Sequence, residues 1–409
     1  MITSTTHPAR VLVTDASRAS SLAVIRSLGR AGHAVVVADS KPHPLGSRSR
    51  FAVGVGQYPS PFVESAEATA GAIASIARRH RIDVIVPVTD DVIVPLAHYR
   101  DALPQGCLVA MADDEARGRA ASKVGTGLLA RSLAIPQPRH EIVHQPEDAG
   151  GCTERLGVPV VIKPDRSRII GPDGRLQRGS VSYAWTDREA IEAVRRAGQT
   201  VLLQSLHPGV GHGIGLLMSD GRPLAAVQHR RLHEVPVSGG ASAQRETVPA
   251  DRDLLSMACA MLGELNWTGA AMVEFKVGPS GPALMEINGR LWGSLPLAIR
   301  AGIDIPKRML QVHLGDAEVC AAPLDLSYRP FVRSRNLDLE LVWIGTNLLK
   351  RQDTSGLIDL DRRAALTAAC DLLRRGQGDD LTDPDDLRPM VSGVGHAFAH
   401  IVHKARHHG

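Results

Sequence analysis

MVEFKVGPSGPALMEINGR, residues 272–290, reads as two short strands around a Gly278-Pro-Ser-Gly281 turn. With an odd-length loop centred on Ser280, Glu274 falls directly across from Glu286, and Asn288 shares the face of Glu286 because strand side chains alternate with a period of two. Two carboxylates so placed come within roughly 5 Å of each other, which is unfavourable unless a cation or a proton lies between them. Mg²⁺ suits that position, since it takes oxygen ligands from one or two carboxylates and fills its shell with water and phosphates. Arg290, two residues past Asn288, then reaches a phosphoryl group in transfer. The competing reading of these residues alone is an exposed hairpin whose acids are simply solvated.

Upstream, RVLVTDA (10–16), a helix-spaced run at 20–30 and AVVVAD (34–39) make a β-α-β start. A helical pattern at 66–80 and DVIVPV (83–88) extend it to a small parallel sheet covered by helices. The turn after the first strand, Asp15-Ala16-Ser17-Arg18, lacks the G-x-G-x-x-G spacing that lets backbone approach a dinucleotide pyrophosphate. A nicotinamide domain is therefore not expected; a Rossmann-like domain forming one wall of a substrate cleft is. A helical pattern over 113–132 breaks at AIPQP (134–138), because proline disfavours helix at its own position and just before it. A new lobe starts there. It runs through a strand ending in VPVVIKP (158–164), a basic, glycine-containing loop (166–180), a helix (187–197) and a strand, TVLLQS (200–205), entering a His-Pro-Gly turn. Strands follow to about residue 248 and a helix covers 251–262, while the last ninety residues carry helical patterns broken by a polar stretch at 376–385.

Charge and cysteines narrow the function classes. A formal charge of +4 over 409 residues gives no field of the kind that holds nucleic acid, so small-molecule partners are expected. Cys107, Cys152, Cys259, Cys320 and Cys370 show no Cys-x-x-Cys spacing, which fits a reducing cytoplasm. The first ten residues have no apolar core of a secretory leader, and no later run approaches the length of a membrane span. Basic residues are mostly arginine: the only lysines are Lys41, Lys123, Lys163, Lys276, Lys307, Lys350 and Lys404. Lys123 opens a helix ahead of the proline break, and Lys163 ends the VVIKP strand before the basic loop, where a compact charge suits phosphate. Between that loop and the hairpin lie His229-Arg-Arg-Leu-His233, Ser238-Gly-Gly-Ala-Ser242 and Arg245, with Arg231 and Arg245 as candidate anchors for a substrate carboxylate. His396, His400, His403, His407 and His408 recur along one face of a C-terminal helical pattern, read as a docking or disordered tail rather than a zinc site because no further ligand completes the set.

These motifs, in this order over residues 10–315, resemble the ATP-grasp superfamily, in the branch with biotin carboxylase, carbamoyl-phosphate synthetase and amino-acid ligases. Its metal motif is matched by Glu274, Glu286, Asn288 and Arg290, and its two nucleotide lysines by Lys123 and Lys163. The linker that reads adenine and ribose is matched by Gln204, Ser205, Leu206 and His207, with Gln204 where an acid is usual; Ser180 and His212 complete the nucleotide set. The resemblance implies an α/β and α+β multidomain chain: a Rossmann-like pre-ATP-grasp domain over 1–112, a two-lobed ATP-grasp domain over 113–318, and a helical C-terminal extension over 319–409. It further implies ATP with Mg²⁺, or Mn²⁺ as the second candidate, a small carboxylate and an amine of amino-acid type as partners, and leaves a homodimer open. The implied activity is a carboxylate-amine ligase working through an acyl phosphate, with Arg290 stabilising the transferred charge. Two alternatives rank lower. Bicarbonate activation lacks a biotinyl Met-Lys-Met segment or a glutaminase region in this chain, and a non-catalytic ATP-binding regulator would not need the full set of Glu274, Glu286, Asn288 and Arg290.

Overall fold

The structure, a computed structural model, describes residues 8–349, 360–372 and 378–391. Five strands, β1 (Arg10–Val13), β2 (Ala34–Asp39), β3 (Ala52–Gln57), β4 (Val84–Val86) and β5 (Leu108–Val109), form a parallel sheet in the order β3-β2-β1-β4-β5. Val11 to Val13 and Val35 to Val37 are fully buried, as uninterrupted apolar strands must be when helices cover both faces. The strand order reverses between β1 and β4, so a crevice opens at their carboxyl ends, the usual ligand position in such sheets. There the helices Ala19–Arg30 and Asp90–His98 begin.

The second lobe is a four-stranded antiparallel sheet of β6 (His140–Val143), β7 (Val160–Pro164), β10 (Ser182–Ala184) and β11 (Val201–Ser205). Residues 166–180, expected as a loop, instead contain a small hairpin of β8 (Arg168–Ile170) and β9 (Leu176–Arg178). Leu176 explains the difference. It is buried, its N–H donates to Pro61 O (2.7 Å), and Ala66 N–H donates to Gly174 O (2.8 Å), so this segment is tied to the first sheet unit rather than left in solvent.

The largest sheet contains β12 (Val210–Ser219), β13 (Arg222–Val235), β14 (Ala241–Thr247), β15 (Gly269–Gly278) and β16 (Gly281–Asn288), ordered β16-β15-β12-β13-β14. Two short strands from the C-terminal region, β17 (Arg333–Arg335) and β18 (Gly378–Asp379), extend it past β14 and accompany the helices Leu337–Leu349 and Arg362–Asp371. The core is continuous between the first and largest sheets: Val24, Ile25 and Leu28 of helix Ala19–Arg30 pack in one cluster with Leu295, Ile305 and Met309. Residues 380–386 then strap these layers together, because Asp386 takes the Arg26 guanidinium (2.9 Å) and the Ser49 hydroxyl (2.7 Å) in a buried site. The C-terminal histidine face at 396–408 lies outside the described residues. Among the described residues no helix is long and apolar enough to cross a membrane.

One half-buried histidine sets an acid limit on this fold. His313 lies beneath Gly269, whose φ of +106° an L side chain would strain, and burial lowers its pKa to about 4. The unfolded histidine titrates at its ordinary value of 6.5, so between 6.5 and 4 the unfolded chain binds more protons and stability falls as pH falls. Urea unfolding at pH 7 and pH 4.5 should therefore differ more for wild type than for His313→Gln, by about 2 kcal/mol.

Candidate active site

In the β15/β16 hairpin Glu274 stands opposite Glu286 and Met272 opposite Asn288. The expected pairing of the two acids is present but is reached differently. The connection is a two-residue turn, Pro279-Ser280, with Gly278 opposite Gly281, and that even register alone would set Glu274 against Met285. A β-bulge at Met285 adds the missing residue. Its physical cause lies on the other face: Leu284 and Ile287 both pack in the core with Val273 and Phe275, although residues three apart cannot share a face under strict alternation. The bulge satisfies the core and turns Glu286 and Asn288 together toward the site.

There the Asn288 amide donates to Glu274 Oε1 (2.9 Å) and to Glu286 Oε1 (3.4 Å), lying between the two carboxylates. Arg231, on β13, donates to Glu274 and is held by Glu234 (2.9 Å) and Gly240 O (2.9 Å). Burial pushes the Glu274 pKa up; Arg231 opposes this and the neighbouring Glu286 reinforces it. Arg290 donates to Asn288 Oδ1 (3.1 Å) and to Asp90 (2.7 Å), the first residue of the helix after β4. Asp90 thus brings the first sheet into the site, a role that no local pattern in its own segment signals.

The cations come from the second lobe. Lys163 on β7 is half-buried in the cavity wall, and partial desolvation lowers its pKa to about 8 against the opposing pull of Glu286. Lys123 is the first residue of helix Lys123–Ser132 and donates to Ser167 Oγ (3.0 Å). The two lysines are set relative to each other by Asp165, whose carboxylate takes the Ser122 hydroxyl (2.7 Å) and Val124 N–H (2.9 Å) while its carbonyl takes Lys123 N–H (3.0 Å). The sequence reading passed over Asp165, although an Asp next to the VVIKP strand is a natural helix-capping acceptor. Asp165→Ala is expected to cost about 1–2 kcal/mol in chemical unfolding, because three groups at that helix start lose their acceptor or its placement. Lys276, on the site face of β15 two residues from Glu274, is a third cation that period-two reading would have reached.

A cavity of about 580 Å³ gathers Lys123, Lys163, Gln204, Ser205, Leu206, His207, Arg231, Glu274, Glu286, Asn288 and Arg290. A second, of about 280 Å³, shares Lys123, Gln204, Glu286, Asn288 and Arg290 with it and is walled by Arg117, Arg166 and Arg168. Three expected site residues stand apart. Ser180 is exposed and His212 is engaged with the Gln228 amide (3.2 Å), and neither borders either cavity. Arg245 borders the larger cavity, but its guanidinium is buried in an ion pair with Asp380, so its charge is spent inside the protein. Asn336 and Leu339, at the start of helix Leu337–Leu349, add a wall from the C-terminal region.

Residues 197–331 match a family model described as ATP-grasp in the biosynthetic pathway with Ter operon. Among solved structures, the chain is similar to a biotin carboxylase–βγ-ATP complex from Campylobacter jejuni, with a TM-score of 0.60, 16% identity, and 80% of this chain and 74% of that one covered. It is also similar to an L-amino acid ligase from Bacillus licheniformis (TM-score 0.57, 14% identity, 80% and 79% covered). A third is the biotin carboxylase domain dimer of Hydrogenobacter thermophilus 2-oxoglutarate carboxylase, in complex with MgADP, ADP and bicarbonate (TM-score 0.61, 14% identity, 80% and 74% covered). No curated protein matches the chain by sequence.

Proposed function

We propose that this chain, which has the ATP-grasp fold, is an ADP-forming carboxylate-amine ligase that activates a small carboxylate as an acyl phosphate at the expense of ATP. The observation that carries this reading is the Asn288 amide set between Glu274 and Glu286, with Arg290 fixed beside it.

Glu274, Glu286 and Asn288 are the residues that would hold Mg²⁺, with Mn²⁺ as a substitute. Two carboxylates and an amide would leave the remaining positions to water and phosphate oxygens, the arrangement Mg²⁺ favours. Bound there, the ion supplies positive charge to the phosphates. Lys163 and Lys123 supply charge from the facing lobe, and Gln204 to His207 border the same cavity where a nucleoside would lie. Arg290 is held by Asp90 and Asn288 before any ligand arrives, so it meets developing phosphoryl charge with little reorganisation. Arg231 neutralises Glu274 and, once a cation takes over that duty, is free to fork onto a substrate carboxylate. The described cysteines are unpaired, which accords with a reducing cytoplasm.

ADP release from Mg-ATP, measured against pools of amino acids, small carboxylates and bicarbonate with and without amines, tests the proposal. Release that needs a carboxylate and an amine together is expected. Release with bicarbonate alone would move the assignment to a carboxylase-type reaction, and absence of Mg-ATP binding would remove it.

A further inference from the structure

We infer that Ser294, its hydroxyl positioned by His229, receives the amine substrate by accepting an N–H from the uncharged amine. The inference rests on the ligase reading above and specifies the form in which the second substrate binds.

Ser294 borders the 580 Å³ cavity on the segment that leads from Arg290 out of the β15/β16 hairpin. It is only 6% exposed, and its Oγ lies 3.1 Å from His229 Nε2. The hydroxyl does not cap the helix Leu295–Ala301 that follows, so helix formation does not account for the pair. His229 is buried on β13, and the fold makes room for it. Alternate positions of β12 share a face, and beneath the cavity these are Gly211, Gly213 and Gly215. A Cβ at Gly213 would lie 2.4 Å from His229 Cε1, while at Gly211 and Gly215 it would meet Arg231 Cδ (2.9 Å) and Trp292 Cζ2 (2.3 Å). The bare strand thus lets Arg231, His229 and Trp292 pack against its backbone.

Burial, with Arg231 and Arg245 beside it, holds the His229 pKa well below the usual histidine range, so the ring is neutral. With its proton on Nδ1, Nε2 accepts the Ser294 hydroxyl and leaves the oxygen's lone pairs to the cavity. The chemistry of the second substrate calls for such an acceptor. Five acids border the cavity, and each is engaged: Asp90 holds Arg290, Asp91 holds Arg168 and Arg178, Glu234 holds Arg231, and Glu274 and Glu286 flank the ion position. An amine attacks through its lone pair and must bind uncharged, whereas a carboxylate beside it would favour the ammonium form. A neutral hydroxyl avoids that. On attack the N–C bond forms and the acyl C–O bond to the phosphoryl group breaks. Phosphate leaves with the electron pair and takes the proton that nitrogen loses. Ser294 holds the nitrogen in place for that step.

The test is steady-state ADP release from Mg-ATP with the pooled amino acids and small carboxylates, using methylamine and amino-acid amides as the amines. Beside it, excess hydroxylamine traps the acyl phosphate as hydroxamate without needing a binding site. Ser294→Ala should raise the amine KM about tenfold, the effect of one hydrogen bond, while the carboxylate KM and the hydroxamate yield stay within about twofold of wild type. Ser294→Thr keeps the hydroxyl and should bring the amine KM back to within about threefold. His229→Leu should raise the amine KM in the same direction, and adding Ser294→Ala to it should bring no further rise, since both act through one hydroxyl. An unchanged amine KM, an equal rise in both KM values, or hydroxamate lost along with amide overturns the assignment. So does wild type that yields hydroxamate but joins none of the amines. Wild type that traps no hydroxamate from any carboxylate overturns the ligase reading, and the assignment with it.

Discussion

Glu286→Ala should lower ATP turnover by about three orders of magnitude while leaving the unliganded protein as stable as wild type, or more so. The rate loss follows from removing one of two carboxylates that would hold the ion; metal and preorganised charge together contribute several kcal/mol to such transition states, and each 1.4 kcal/mol or so is a factor of ten. The stability effect has the opposite sign to that of most buried substitutions. Glu274 and Glu286 are like charges in directly opposed strand positions, and the Asn288 amide, Arg231 and the charges of Lys163 and Arg290 offset their repulsion in part. Removing one relieves the other. Thermal unfolding of unliganded wild type and variant, beside ADP release under saturating substrate, checks both halves. A variant that turns over within tenfold of wild type would remove the metal assignment, and one that is slow only because it is unfolded would remove the account of repulsion.

Arg245→Ala is expected to act on stability rather than on substrate binding, with a loss of about 3–5 kcal/mol. Both Arg245 and Asp380 are 1% exposed in their side chains, and the Ser334 hydroxyl also donates to Asp380 (2.5 Å). Truncating the arginine strands a carboxylate in the interior, which costs far more than the pair contributes as a whole. The double variant Arg245→Met, Asp380→Leu should therefore recover most of the loss in urea unfolding, since apolar side chains of similar volume often replace a buried ion pair without penalty. If Arg245 instead anchored the substrate, Arg245→Ala would unfold like wild type and raise KM, and the double variant would do the same. Sequence alone invited that second reading, because an arginine near a glycine-rich turn looks the same whether its partner is a ligand or a residue 135 positions away.

The amino-acid sequence by itself determined what depends on periodicity and on local charge. Uninterrupted apolar residues made β1 and β2 buried parallel strands, period two placed Glu286 and Asn288 on one face, and the scarcity of lysine singled out Lys123 and Lys163. The tertiary structure decided what depends on packing between distant segments. It moved the hairpin to a two-residue turn and restored the register with a bulge at Met285, because Leu284 and Ile287 both had to reach the core. It turned residues 168–178 into a hairpin tied to Pro61 and Ala66, gave Arg290 its partner in Asp90, and spent Arg245 on Asp380. Each of these follows from burial. A charge or an apolar side chain taken out of water must find a partner, and where that partner lies far along the chain, only the folded structure brings the two together.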